Sequence, residues 1–189
     1  MLRQFKGKEF RMFMPAEEIQ KRIKEIGGEI TEDYQDRNPV FLGILNGCFM
    51  FAGDLFKYLE IDCTITFVKL ASYKGTTSTG NVLTAIGLEE SLHDKDIIII
   101  EDIVDTGNTM VAFLESLKAK EPRSIRICTL FSKPEVHKNK LHLDYVGFDI
   151  PNKFILGYGL DYDGLGRNLP DLYKIVSEDD DVYRFSNTD

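Results

Sequence analysis

The apolar positions of this chain follow two rhythms. Ile19, Ile23, Ile26 and Ile30 recur at helical spacing among mostly charged neighbours, behind a Pro15 suited to a first helical turn. Met110, Phe113, Leu114 and Leu117 repeat that spacing in a segment opening near Gly107. Elsewhere the apolar residues come in short runs, at Val40 to Leu45, Asp62 to Leu70, Ile97 to Ile100 and Ser124 to Phe131, which read as strands. Four consecutive β-branched residues without alternation suit a strand covered on both faces, so Ile97 to Ile100 is placed at the centre of a sheet. Cys48 to Leu59 reads as a largely apolar helix. Strands separated by helices predict an α/β fold on a mostly parallel, twisted sheet with right-handed crossovers. Between Ala71 and Leu92 the pattern turns polar and glycine-flanked, which predicts a surface hairpin loop or a mobile lid.

A length of 189 residues with 43% hydrophobic and 11% aromatic residues suits one domain over residues 1–189. No run approaches the roughly 20 apolar residues that span a bilayer, and the first residues lack the apolar core of a signal peptide, so a cytoplasmic protein without membrane association is expected. Cys48, Cys63 and Cys128 lie in apolar segments without metal spacing and read as buried thiols. The net charge of −8 argues against broad nucleic-acid binding, which needs a basic surface. The acidic run at 178–181 reads as a solvated loop, and His93, His137 and His142 receive no role.

The chemistry concentrates where the isoleucine run ends. Glu101, Asp102 and Asp105 follow it directly, at the carboxyl end of a parallel strand, where open α/β sheets bind ligands. If the pair Glu101 and Asp102 is to converge, the strand must end there, because successive strand residues face opposite ways. Thr106, Gly107, Asn108 and Thr109 then form the first turn of the next helix. Its free N–H groups, dipole and two hydroxyls suit a phosphate, and Gly107 permits close approach. Acids beside a phosphate cradle are compatible if the acids take hydroxyls, a magnesium ion or a proton, all of which a phosphorylated sugar complex offers.

This segment resembles the binding loop for phosphoribosyl pyrophosphate (PRPP) in type I phosphoribosyltransferases, and the stretch from about Val40 to Arg167 is similar to the hypoxanthine-guanine phosphoribosyltransferases. The resemblance implies the type I fold, with a small hood over the parallel sheet and a mobile loop. It implies transfer of the 5-phosphoribosyl group from PRPP to N9 of hypoxanthine, with guanine as a second candidate base, giving the nucleotide and pyrophosphate with Mg²⁺ present. By the same resemblance Asp105 is the general base toward N7, and Glu101 and Asp102 clamp the ribose hydroxyls and metal-bound water. Asn46 and Gly47 belong to the pyrophosphate loop, and Ser72 and Tyr73 to the mobile loop. Lys133 meets the 6-oxo group, Phe154 stacks on the base, and the Ile155 backbone meets its far edge. Asp161 is the metal ligand, with Asp163 its rival, and Arg167 grips pyrophosphate. Some relatives carry lysine where Asn46 and Asn108 stand. The implied partners are PRPP, a 6-oxopurine and a second or fourth copy of the chain. The rival class is a PRPP-sensing regulatory protein of the same fold without turnover. A dinucleotide-binding protein lacks support, since neither a Gly-x-Gly-x-x-Gly nor a Walker A sequence is present.

Overall fold

The computed structural model describes residues 2–74, 81–88, 91–138 and 140–176. Its strands are β1 (Leu2–Phe5), β2 (Lys8–Met14), β3 (Val40–Leu45), β4 (Thr64–Lys74), β5 (Asn81–Ile86), β6 (Asp96–Val104), β7 (Ser124–Ser132), β8 (Tyr145–Asp149), β9 (Ile155–Leu156) and β10 (Leu172–Ile175). The helices are α1 (Ala16–Asp33), α2 (Phe49–Leu55), α3 (Asn108–Lys118) and the single turn α4 (Pro134–His137). A six-stranded sheet has the order β5-β4-β3-β6-β7-β8. Its strands pair in parallel except for β5, which runs antiparallel to β4 at the edge.

The isoleucine run is central, as its composition requires. Ile98 and Ile100 point to one face and pack with Ile19, Ile23, Ile26 and Ile30 of α1 and with Phe51 and Leu55 of α2. Ile97 and Ile99 point to the other face, against Met110, Phe113 and Leu117 of α3. All four isoleucines have no exposed surface. Both faces are therefore apolar, and alternation disappears from the sequence for that reason.

Two expectations are corrected. The helix foreseen from Cys48 to Leu59 is shorter, α2 passing into a 3₁₀ turn at Phe56–Tyr58. Part of the polar stretch after Ala71 is strand: β4 runs on to Lys74 and pairs with β5, so Ser72 and Tyr73 are ladder residues opposite Leu83 and Val82. Residues 75–80 of the proposed mobile loop, like the acidic run at 178–181, lie outside the described residues. The chain opens with β1 and β2, which join β10 and β9 in a four-stranded antiparallel sheet of order β1-β2-β10-β9. This small sheet corresponds to the expected hood. Among the described residues no helix is long and apolar enough to cross a membrane.

Candidate active site

The site forms where β6 loses one neighbour. The last β6 residue paired to β3 is Ile100, whereas pairing to β7 continues through Glu101 and Ile103 to Val104. The expectation that the strand ends before the acidic pair is thus overturned. What ends is the β3 side of the ladder, and the gap is filled by the turn that follows Leu45. There the Leu45–Asn46 peptide bond is cis, and Gly47 lies so close to Asp102 that a Cβ at position 47 would fall 1.7 Å from its Oδ2.

Glu101 and Asp102 share a hydrogen bond, and Asp102 is buried. Burial raises the pKa of Glu101 well above the carboxylate range, and the charge of Asp102 and their shared hydrogen bond raise it further. Asp102 is raised too, by burial, but hydrogen bonds from Glu101 and from the backbone at Asp102 and Ile103, with the charge of Arg167, oppose the rise. Glu101 Oε2 is buried without a hydrogen-bond partner. A buried carboxyl oxygen left unpaired is costly, which makes this atom a candidate to meet a cation or a hydroxyl.

Beyond β6 the chain enters α3 through Gly107, whose φ of +73° is the left-handed conformation that glycine adopts without strain. Thr106, Gly107 and Thr109 line a hollow of about 200 Å³ with Glu101 and Asp105. Asn108 does not line it; its Oδ1 instead accepts a hydrogen bond from Lys140 at 3.1 Å. An adjoining hollow of about 310 Å³ shares Ile44, Glu101, Ile103 and Asp105 with the first and adds Asn46, Gly47, Asp102, Lys133, Phe154, Ile155, Asp161 and Arg167. Among the candidates whose side chains are described, all but Asn108 are brought to this double cleft.

Within the cleft, opposite charges are paired. Lys133, 6% exposed, donates from Nζ to Asp105 Oδ2 at 3.1 Å. Arg167 Nη2 meets Asp161 Oδ1 at 2.5 Å, and Asp161 Oδ2 accepts from the Gly164 N–H at 2.7 Å. Glu101, Asp102 and Asp161 therefore do not form one preassembled cage, and among the described residues no three His, Cys, Asp or Glu side chains are grouped to hold a metal. Asp163, the alternative to Asp161, pairs with Lys6 at the surface. Cys48, buried at the start of α2, has its thiol pKa pushed up by burial and by Glu101 and Asp102, so it is inert.

Two supporting residues were not foreseen. Phe10 of β2 lies edge-on to Phe154, with ring centroids 6.2 Å apart, and Tyr162 contacts both rings. His137, given no role from sequence, is buried with Nε2 3.1 Å from Ser132 Oγ, beside Gly107. The alternation around Phe10 carried a weak strand signal; the position of His137 carried none.

The hollow at the start of α3, the carboxylate beside it and the adjoining hollow lined by Phe154 and Lys133 have the chemistry to receive a phosphorylated sugar and a flat base. A phosphoribosyl transferase domain model matches residues 14–163. The chain is 40% identical to the hypoxanthine-guanine phosphoribosyltransferase of Bacillus subtilis over 161 residues, 85% of this chain and 89% of that one. It is 38% identical to the hypoxanthine phosphoribosyltransferase of Escherichia coli over 172 residues, covering 89% of this chain and 97% of the relative. A crystal structure of a hypoxanthine phosphoribosyltransferase from Staphylococcus aureus superposes with a TM-score of 0.81 at 39% identity, covering 88% of this chain and 91% of that chain. The chain belongs to the hypoxanthine-guanine phosphoribosyltransferase family, a family of transferases.

Proposed function

We propose that this chain is a purine-salvage enzyme that joins hypoxanthine, with guanine a second candidate base, through N9 to the 5-phosphoribosyl group of PRPP, releasing pyrophosphate. The observation that carries this reading is the 3.1 Å contact between Lys133 Nζ and Asp105 Oδ2 at the junction of the two hollows. It sets a donor for a 6-oxo group and an acceptor for an N7 proton side by side. Asp105 accepts that proton as N9 attacks the sugar, and its negative charge favours the positive charge that builds on the ribose as pyrophosphate leaves. Lys133, bonded once to Asp105, retains two N–H groups for the base oxygen. Phe154, 43% exposed but backed by Phe10 and Tyr162, offers a ring face for stacking, and the backbone of Ile155 lies beside it. Thr106, Gly107 and Thr109 take the 5′-phosphate. Asn46, Gly47 and Arg167 take the pyrophosphate, whose oxygens match the planar fork of arginine.

Magnesium fits this donor set. The groups present are hard carboxylate oxygens, and Glu101 Oε2 is buried and unpartnered. Mg²⁺ is usually held by one or two carboxylates with water and substrate phosphates, so a preassembled cage is unnecessary. Glu101, Asp102 and Asp161 would hold it, and it would neutralise charge on the departing pyrophosphate. Family resemblance also carries the expectation of a cytoplasmic homodimer or homotetramer.

Purified protein incubated with PRPP, Mg²⁺ and single bases tests the reading. Hypoxanthine should yield IMP, and excess EDTA should abolish the product. Adenine should be poorer by up to about 10⁴-fold, because its amino group would face the donors of Lys133. Equal use of adenine would remove Lys133 from the base pocket. Absence of product with every base, with PRPP still bound, would favour the regulatory alternative.

A further inference from the structure

The proposed phosphate loop has no charge of its own. Thr106, Gly107, Asn108 and Thr109 offer backbone N–H groups, two hydroxyls and an amide, while Glu101, Asp102 and Asp105 stand just upstream. A dianionic phosphate there would meet three nearby acids in a chain of net charge −8. The ammonium hydrogen-bonded to a loop residue comes from elsewhere in the chain: Lys140 donates to Asn108 Oδ1 at 3.1 Å.

The segment carrying Lys140 is seated against the loop. A Cβ built at Gly107 would lie 2.9 Å from Leu141 Cδ1 and 3.6 Å from His137 Cβ. The segment is tied internally as well, by His137 N–H to the Lys133 carbonyl at 3.2 Å and Lys140 N–H to the His137 carbonyl at 3.0 Å. The buried contact of His137 with Ser132 pins its middle to the end of β7. One short stretch thus delivers Lys133 to Asp105 at one end of the cleft and Lys140 to the helix start at the other.

We infer that Lys140 is a binding residue for the 5′-phosphate of PRPP and of the nucleotide product, reaching over Asn108 to supply the cation that the loop lacks. This rests on the phosphoribosyl-transfer reading above. Bonded once to Asn108, the ammonium keeps two N–H groups free for phosphate oxygens. The amide of Asn108 therefore acts as a rest for the lysine.

Calorimetric binding of IMP and inosine, which differ only in the phosphate, tests the assignment. Lys140→Met should weaken IMP binding by about five- to twentyfold, between an exposed ion pair and a charge-assisted hydrogen bond, and leave inosine binding unchanged. Lys140→Arg should keep most of the IMP affinity. Lys118→Met, which removes an equal charge at the far end of α3, should bind both ligands as the parent does. The KM for PRPP should rise in Lys140→Met with little change in kcat. Unchanged IMP affinity in Lys140→Met would overturn the assignment, as would equal loss of IMP and inosine or the same loss in Lys118→Met. If the parent protein itself bound IMP no better than inosine, the phosphate-site reading would fail before Lys140 came into question.

Discussion

Replacing Gly47 by alanine puts one methyl group against the acid pair. An ideal Cβ at this position lies 1.7 Å from Asp102 Oδ2, 2.2 Å from Cγ and 2.6 Å from Oδ1, whereas ordinary contacts begin near 3.4 Å. All three atoms of the carboxylate group are too close, so turning the group about its own bond gives no relief, and it must retreat by more than about 1 Å. Retreat is resisted, because Asp102 is buried in β6, accepts backbone hydrogen bonds and shares another with Glu101. Overpacking of this kind costs about 1–3 kcal/mol, which in a chain of this length lowers Tm by about 2–12 °C. A 1 Å misplacement in an active site costs up to about 10²-fold in rate, so kcat/KM should fall more than stability alone accounts for. Thermal melts and steady-state kinetics should be run on Gly47→Ala, Asp102→Ala and the double variant. Asp102→Ala removes the atoms the methyl would meet, so Gly47→Ala should cost less stability in that background. An equal cost in both backgrounds, or parental Tm and kcat/KM in Gly47→Ala, would refute the steric account.

Asp105→Asn should slow the single-turnover step by about 10²–10⁴ while PRPP still binds, since the amide keeps the shape but does not take the N7 proton; parental single-turnover rates would remove Asp105 from the base role. Asp54 supplies a pH test away from the cleft: burial would raise its pKa, but hydrogen bonds from Lys57, Tyr158 and Gln20 outweigh that and hold it below the ordinary 3.8. A depressed folded-state pKa contributes stability above the unfolded value and loses it as pH falls through the folded one, so the Tm gap between parent and Asp54→Asn should be steady near neutrality and close below pH 3.8. A gap that widens in acid would contradict the assignment.

Much of the parallel sheet was legible because its signals are local. The run Ile97 to Ile100 announces a strand buried on both faces, and Met110 to Leu117 announces the helix that covers one of them. The small sheet was not legible, because β2 pairs with β10 from the far end of the chain, with a register shift between Leu172 and Tyr173. Met12 is 40% exposed while Phe10 and Met14 are buried, so the strand carries only a short alternating pattern among charged residues. Hence Phe10, the ring behind Phe154, had no visible partner. The strand end at Glu101 was misjudged for a related reason. Sequence reports where a strand's own residues change character, whereas the gap in the ladder depends on where the neighbouring β3 turns away.

Within the cleft, charged groups hold one another. Lys133 is bonded to Asp105, Arg167 to Asp161, and Glu101 shares a hydrogen bond with Asp102. An unpaired charge at these depths would be expensive, and pairing removes that cost while keeping each group in position. It also sets what a ligand must bring. On the reading proposed above, a 6-oxo group would take the N–H groups that Lys133 keeps beside its bond to Asp105, and a pyrophosphate would compete for Arg167 and release Asp161 toward a cation. An acidic protein can in this way bind a polyanion without standing open to every passing cation.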